Sequence, residues 1–95
     1  MLSTWYTSGV TIVIEPHALK HGLSENEVTY AWETLLECRM RLDERFPPRW
    51  IGLGVLPDGR LAQLVATEGA DGVWHVFHAM TPLTKVFLEE LGLKG

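Results

Sequence analysis

Hydrophobic residues recur along this chain with two spacings, one typical of strands and one typical of amphipathic helices. The apolar, β-branched run GVTIVI at 9–14 predicts a first strand. Pro16 follows it and suits the first position of a helix, and Gly22 suits the position just after a helix ends. The segment 16–22 therefore predicts a short helix.

The clearest helix signal is the segment SENE, which begins at Ser24. Ser24 and Glu27 have the spacing of a capping box, and Leu23 and Val28 have the spacing of the matching hydrophobic staple. The apolar positions that follow repeat every three or four residues, as on one face of a helix. We expect a long helix from residue 24 to about residue 39 or 40.

Three short runs rich in β-branched and aromatic residues follow, at 49–56, 61–68 and 73–80. The turns between them contain PDG and GADG, which favours an antiparallel meander. A last helix is predicted over 81–92, with a threonine as N-cap and a proline in the first turn. The order strand, helix, helix, three strands, helix predicts one α+β domain over residues 1–95, with helices on one face of a small antiparallel sheet.

The PDG turn determines which residues of the first two meander strands share a face. It places Gly52, Gly54 and Ala62 on the face of Arg60, where these small residues leave room either for a ligand or for a closely packed helix backbone. Arg49 lies about seven residues from Arg60 in this register, roughly 23 Å at ~3.3 Å per residue. These two arginines therefore cannot bind one phosphate.

The second turn of the meander has two solutions. A loop over 68–72 places His78 on the face of Arg60, whereas a two-residue Asp-Gly turn places His75 there. The sequence leaves open which histidine faces Arg60.

The charge of the chain limits the partners that it can bind. A net charge of −4 argues against nucleic-acid binding by bulk electrostatics, because phosphate neutralisation requires clustered lysine and arginine. The segment RMRLDERFPPR is a local exception. Its four arginines form either a solvated helix end or a surface for phosphate or a protein partner: Arg39, Arg41, Arg45 and Arg49.

The expected compartment is the cytoplasm, with no membrane association. The longest apolar runs are far shorter than the ~18 residues that a membrane span requires, and the N-terminal segment lacks the basic region of a signal peptide. Cys38 is the single cysteine, so it has no partner for an intramolecular disulfide.

The four histidines do not predict a metal site. His17 and His21 have the i, i+4 spacing that places two imidazoles on one helix face. His75 and His78 are three residues apart in a strand, so they should point to opposite faces. At most three histidines could converge, and no phosphate-binding loop or serine-nucleophile motif is present. We predict neither a metal nor a cofactor.

The basic residues suggest a different chemistry. Cleavage of RNA through the neighbouring 2′-hydroxyl needs a base, an acid and a cation that stabilises the phosphorane, which histidine, lysine and arginine can supply. The candidates outside the arginine-rich segment are Lys20, His21, Arg60, His78 and Lys85.

Four segments, KHGLSENEVTYAWE, RWIGLG, GRLAQLV and VFHAM, together resemble the BrnT-type toxins of the RelE/ParE superfamily. The similarity runs from about residue 15 to 85. It implies a RelE-like fold, an endoribonuclease that arrests growth, and a cognate antitoxin protein. The matching motif positions are Lys20, His21, Arg49 and Arg60. The basic run that follows the last strand in this family is replaced here by HAMTPLTKVFLEEL, which retains one cation, Lys85.

Two functions are therefore predicted from different classes. The first is the toxin of a type II toxin–antitoxin pair, an endoribonuclease that binds RNA and an antitoxin. Its catalytic residues would be Lys20, His21, Arg49, Arg60 and His78, and its RNA-binding residues Arg39, Arg41, Arg45 and Lys85. The second is a non-catalytic interaction module that binds a protein partner or forms a homodimer through an apolar, tryptophan-rich sheet face. The acidic composition favours the second function and the motif positions favour the first.

Overall fold

A six-stranded mixed sheet forms the centre of the computed structural model, which describes residues 3–7 and 9–92. Its strands are β1 (Ser3–Thr7), β2 (Val10–Ile14), β3 (Glu37–Met40), β4 (Arg49–Val55), β5 (Leu61–Glu68) and β6 (Trp74–Met80). Its helical segments are a 3-10 helix (Pro16–Leu19), α1 (Glu25–Glu33) and α2 (Lys85–Glu90). The strand order is β1-β2-β6-β5-β4-β3, with β2 parallel to β6 and the other neighbours antiparallel.

The two α-helices pack on opposite faces of this sheet. Neighbouring residues of a strand point to opposite faces, so the cores that they enter identify the two sides. Leu64 packs in a core with Val28 of α1, whereas Val65 packs in a second core with Phe87 of α2. We name these two sides the α1 face and the α2 face. The α1-face core also contains Ile12, Ile14, Ala18, Leu23, Ala31, Leu56, Ala62, Ala66, Val76 and Ala79. The α2-face core also contains Ile51, Leu53 and Leu91.

The predicted fold class, a small antiparallel RelE-like sheet with helices on one face, is wrong. The sheet has six strands, contains a parallel pair and carries a helix on each face. Two strands are missing from the predicted order. β1 has the short, polar sequence STWYT, which gives no apolar run, and β3 lies inside the segment predicted to be helical.

The predicted start of α1 is confirmed and its predicted end is wrong. The Ser24 hydroxyl accepts from the N–H of Glu27 at 3.1 Å, and the Glu27 carboxylate accepts from the N–H of Ser24 at 2.9 Å. The helix ends at Thr34, whose hydroxyl both donates to and accepts from the backbone of Val55. Charged and apolar residues then alternate through Glu37–Met40, a period of two that is typical of a strand.

The last helix begins later than predicted. Its N-cap is Thr84, whose hydroxyl accepts from the N–H of Phe87 at 3.2 Å. The predicted N-cap, Thr81, instead donates its hydroxyl to the carbonyl of Leu61 at 2.6 Å. The earlier short helix is a 3-10 helix, and Gly22 follows it with a φ of 90°, as the predicted turn requires.

The predicted register of the first hairpin is confirmed, because Gly52 pairs with Leu64 and Gly54 pairs with Ala62. Of the two interpretations of these small residues, close helix packing is the one observed. A Cβ atom on Gly54 would collide with the carbonyl oxygen of Ala31 in α1, and a Cβ atom on Gly52 would lie 2.7 Å from a methyl of Leu35.

A β-bulge in β6 determines which histidines share a face of the sheet, and the outcome differs from both predicted turns. Glu68 pairs with Trp74, but the register then shifts, so that His78 lies opposite Val65. The shift places both His75 and His78 on the α2 face, although regular alternation would separate them. Arg60 reaches α1 instead, through Glu27, so neither histidine shares its face.

Candidate active-site cleft

A polar cleft of about 260 Å³ opens on the α2 face between the sheet and α2. Val65 and Phe77 form part of its wall, and Thr84 and Phe87 line it from the side of α2. Its polar and charged lining also contains His17, Arg41, Arg49, Gln63, His78 and Glu90. Five elements, the 3-10 helix, β4, β5, β6 and α2, therefore contribute to one site, together with Arg41, which directly follows β3.

Gln63 is a buried polar residue, 6% exposed, that links α2 to His78. Its Oε1 accepts from the backbone N–H of Thr84 at 2.8 Å, and its Nε2 lies 3.0 Å from Nε2 of His78. Because a backbone N–H can only donate, the orientation of the amide is set, and the amide nitrogen must donate to His78. This hydrogen bond requires an unprotonated Nε2, so the neutral ring of His78 carries its proton on Nδ1.

The environment of His78 also favours its neutral form. Burial lowers the pKa of His78 below its ordinary value, and the positive charges of His21 and Arg41 lower that pKa further, with smaller effects from His17 and Lys20. His78 is therefore uncharged at neutral pH and presents an N–H donor rather than a free lone pair.

His21 lies against His78, with the ring centroids 5.3 Å apart and the planes at 74°. Both Lys20 and His21 are exposed, and they lie between the 3-10 helix and the left-handed Gly22. The capping box of α1 begins two residues after Gly22 and fixes the direction in which the chain leaves this turn. Lys20 and His21 thus stand at the rim of the cleft on a well-defined segment.

Two arginines of the cleft are held by carboxylates. Arg41 makes a two-pronged ion pair with Glu90, at 2.7 Å from Nε and 3.0 Å from Nη2. Arg49 lies 3.7 Å from Asp43 and places its guanidinium 5.8 Å from the ring centroid of Phe77. The guanidinium groups are already arranged to bind anionic oxygens, since carboxylates occupy these positions now.

The remaining predicted site residues lie elsewhere. Arg39 donates to the backbone carbonyl of Glu90 at 3.1 Å and lines a neighbouring surface depression rather than the cleft. Arg45 and Lys85 are exposed outside the cleft lining. Arg60 binds Asp58 at 2.6 Å.

Arg60 and Asp58 form a local pair at the first hairpin turn. The backbone N–H of Arg60 lowers the pKa of Asp58 below its ordinary value, with help from the guanidinium of the same residue. The cleft therefore unites Arg41, Arg49 and His78 and has His21 and Lys20 at its rim, but it does not include Arg60.

Sequence reasoning missed three residues that shape the cleft: Gln63, Thr84 and Glu90. Gln63 had a usable signal, because it is the one polar residue inside the apolar stretch LAQLVA. Glu90 had none, since its partner Arg41 is 49 residues away in the chain.

The tryptophans gather on the other face of the sheet. Trp32, Trp50 and Trp74 line an apolar cavity of about 230 Å³, with Leu35 and Cys38 beside them. The ring centroids of Trp32 and Trp74 are 5.5 Å apart, and those of Trp50 and Trp74 are 6.2 Å apart. Cys38 is the one titratable group among the described residues that line this cavity, and burial raises the pKa of its thiol.

No protein-family model, curated protein or solved structure matches this chain. Within residues 3–7 and 9–92, no three histidine, cysteine, aspartate or glutamate side chains converge as metal ligands. Over the same described ranges, no helix is long and apolar enough to span a membrane.

Proposed function

We propose that this chain is the toxin of a bacterial type II toxin–antitoxin pair and that it cleaves RNA in the cytoplasm through the 2′-hydroxyl, without a metal or cofactor. The observation that supports this most is the contact of His21 with His78 at a cleft that also holds Arg41 and Arg49. The resemblance of the KHG, RW and HAM segments to BrnT-type toxins supports the same function.

The proposed reaction uses side chains at the cleft alone. His21 accepts the proton of the 2′-hydroxyl while the 2′-oxygen attacks phosphorus. The bond from phosphorus to the 5′-oxygen breaks, and that oxygen takes a proton from His17. The products are a 2′,3′-cyclic phosphate and a 5′-hydroxyl.

The other residues bind the phosphate. Arg49 and Arg41 contact the non-bridging oxygens, on which negative charge increases in the phosphorane. His78, neutral and with its proton on Nδ1, donates a hydrogen bond to the same group. Lys20 attracts the RNA backbone to the rim of the cleft. RNA replaces the carboxylates of Glu90 and Asp43, which occupy the arginines in its absence.

A purified-protein assay tests the reaction. A single-stranded RNA is incubated with the protein in the presence of EDTA, and the products are examined for cyclic phosphate ends. We expect cleavage of RNA and none of a 2′-O-methyl RNA of the same sequence. His21→Ala and Arg49→Gln should each reduce the rate by about a hundredfold or more. His75→Ala is the matched control, because His75 lies on the same strand as His78 but outside the cleft lining.

The same assay tests Arg60, which the resemblance places among the catalytic residues and the fold places on the α1 face. Loss of cleavage in Arg60→Gln would support a role for Arg60 on a longer RNA. Unchanged cleavage would confine the chemistry to the cleft. Metal-dependent cleavage, or cleavage of the 2′-O-methyl RNA, would refute the proposed mechanism.

Expression in a bacterial host tests the toxin role. Induction without the neighbouring gene should stop growth, and His21→Ala should relieve the arrest at equal soluble expression. Co-expression of an adjacent small antitoxin gene should do the same. Normal growth with abundant soluble wild-type protein would contradict the proposal.

A second candidate function is a non-catalytic binding module. The specific observation in its favour is that both cleft arginines are paired with carboxylates in this structure, as they would be in a binding surface for an acidic peptide. Tight RNA binding or antitoxin binding without any cleavage, unchanged by His21→Ala, would favour this alternative.

A further inference from the structure

Strand β3 is the edge of the sheet, and its outward backbone is unpaired with any other described strand. The N–H of Arg41 bonds inward to the carbonyl of Arg49. Because antiparallel strands alternate inward and outward peptide groups, Cys38 and Met40 direct their N–H and C=O groups away from the sheet. All four residues of β3 are exposed. Such an edge can pair with another strand.

We propose that two copies of this chain join through β3, in an antiparallel pairing centred on Cys38. In this register Cys38 lies opposite Cys38 of the partner subunit. Glu37 then lies opposite Arg39 of the partner subunit, and the two-fold symmetry repeats this pair. Two opposite-charge pairs therefore flank the centre, which is the complementarity that stabilises neighbouring strands.

The charged residues and the apolar residues of β3 lie on opposite faces of the strand. Glu37 and Arg39 pair with Leu53 and Ile51 of β4, so their side chains lie on the α2 face. Met40 pairs with Trp50 and Cys38 pairs with Gly52, so both lie on the α1 face, where Cys38 lines the tryptophan-lined cavity. In the dimer the charged pairs would form on one side of the joined sheet and apolar contacts on the other.

The apolar side of this edge is exposed in the single chain. Leu36, just before β3, is 62% exposed, and Met40 is 43% exposed. The proposed register brings Leu36 near Met40 of the partner subunit, again twice by symmetry, although the N–H of Leu36 bonds inward to the carbonyl of Leu53 and does not join the shared ladder. Leu42 and Phe46, farther along, are 87% and 93% exposed. A second copy would bury apolar surface that the monomer leaves in water.

Other registers fit less well. A pairing centred on Arg39 would place it directly opposite Arg39 of the partner subunit, which is a repulsive arrangement. The hydrogen bond from Arg39 to the carbonyl of Glu90 does not prevent the proposed ion pair, because a guanidinium has five N–H donors. The sequence of β3 is thus self-complementary in one register. Its formation is independent of RNA cleavage.

The test measures the molar mass of the purified chain by light scattering during size-exclusion chromatography over a range of concentrations. Wild type should show twice the chain mass of 10.7 kDa. Arg39→Glu should raise the dimer Kd by about a hundredfold, since each of two pairs becomes repulsive and costs about a factor of ten. Glu37→Arg should do the same. Because both positions are exposed, each variant should keep the circular dichroism spectrum of wild type.

A mixture of the Arg39→Glu and Glu37→Arg variants provides the decisive measurement. One chain then carries two arginines and the other two glutamates at positions 37 and 39, so every pair across the interface is attractive again. The mixture should form a heterodimer of wild-type stability, and the double variant Glu37→Arg/Arg39→Glu should form a homodimer. A monomeric wild type, or a dimer that both single variants leave intact, would refute the proposal.

Cys38 provides a separate test of the register. Residues directly opposite in a hydrogen-bonded pair have Cα atoms about 5.5 Å apart, within the range that a disulfide can span. Treatment with diamide removes two electrons and two protons from the two thiols and is itself reduced to the hydrazine. A covalent dimer should form for wild type and for the double charge-swap variant. A non-covalent dimer that resists this reaction would rule out a centre at Cys38.

Discussion

The protonation state of His78 is determined by the groups around it and not by its residue type alone. Its hydrogen bond to Gln63 and its burial both favour the neutral ring, and nearby cations act in the same direction. A solvent-exposed histidine with the same sequence neighbours would have no such bias. The role that we assign to it, hydrogen-bond donation rather than proton abstraction, follows from this environment.

The lowered pKa of His78 predicts a pH dependence of stability. The unfolded chain binds a proton near the ordinary histidine pKa of about 6.5, whereas folded His78 binds it only at lower pH. The free energy of unfolding should therefore be largest above this window and decrease as pH falls through it. Urea unfolding at several pH values measures the effect. His78→Gln should flatten this part of the profile, and an unchanged profile in His78→Gln would contradict the assignment.

Glu90 is predicted to restrain RNA binding. It neutralises Arg41 inside the cleft, so Glu90→Gln should free that guanidinium for phosphate and tighten the binding of a single-stranded RNA by about tenfold, or about 1.4 kcal/mol. Fluorescence anisotropy with a labelled RNA measures the affinity. Glu89→Gln is the matched control, because it removes the same charge from an exposed position of the same helix. Equal effects of the two variants would indicate a change in net charge alone.

At this scale the sequence was informative for residues whose neighbours in the chain carry the signal. Lys20 and His21 could be selected because a glycine turn and a capping box follow them directly. The pairing of Arg41 with Glu90 could not, since it depends on how α2 returns across the sheet. Arg60 was selected because it matches a family motif, but the sequence around it did not indicate its neighbours in the fold. The structure places it near the carboxylates of Glu27 and Asp58 on the α1 face.

Helix α1 and strand β4 pack so closely that only glycine, which has no side chain, fits at the point of contact in β4. The backbone of Ala31 lies directly over Gly54. The helix also positions the turn that carries His21, because its capping box begins just after that turn. Packing in the α1-face core is thus connected to the geometry of the cleft on the opposite face.

Gly54→Ala should lower the free energy of unfolding by about 3 kcal/mol, since the new methyl group meets helix backbone that cannot move aside without shifting α1. Gly52→Ala is the matched control. Its methyl group would meet the flexible end of Leu35, and we expect a loss of about 1 kcal/mol or less. Urea unfolding followed by tryptophan fluorescence compares the two. Equal losses would mean that the contact with Ala31 is not the cause.

Element prediction failed where one pattern fits two structures. The residues of β3 alternate charged and apolar, and the same residues continue the helical spacing of α1 for about one more turn. The local sequence cannot choose between them, whereas the hydrogen bonds of Thr34 with Val55 and of Leu36 with Leu53 do so in the folded chain. The hairpin of β4 and β5 was predictable because its turn chemistry acts over a few residues.

The whole molecule is acidic but presents its cleft cations together. Its net charge of −4 would repel RNA at a distance, while Arg41, Arg49 and Lys20 act only at contact. The fold class also depends on contacts across the whole molecule. The predicted fold class was wrong because two edge strands, β1 and β3, widen the sheet and because α2 packs on the face opposite α1.

This charge distribution predicts a modest salt dependence for RNA binding. Three phosphate contacts should give a slope of about −2 in a plot of log K against log salt concentration for single-stranded RNA. Arg49→Gln should reduce the magnitude of that slope by about 0.7. Anisotropy titrations at several salt concentrations provide the values. A much steeper slope, unaffected by Arg49→Gln, would place RNA on another surface.

The bulge in β6 places two adjacent side chains on one face of the sheet. Val76 lies opposite Ala66 and His78 opposite Val65, so the extra residue, Phe77, joins His78 on the cleft side while Val76 and Ala79 stay in the α1-face core. Deleting Phe77 would restore regular alternation and leave His78 facing the cleft, but it would remove the ring that Arg49 contacts. The extra residue therefore adds a side chain to the cleft wall without displacing the histidine.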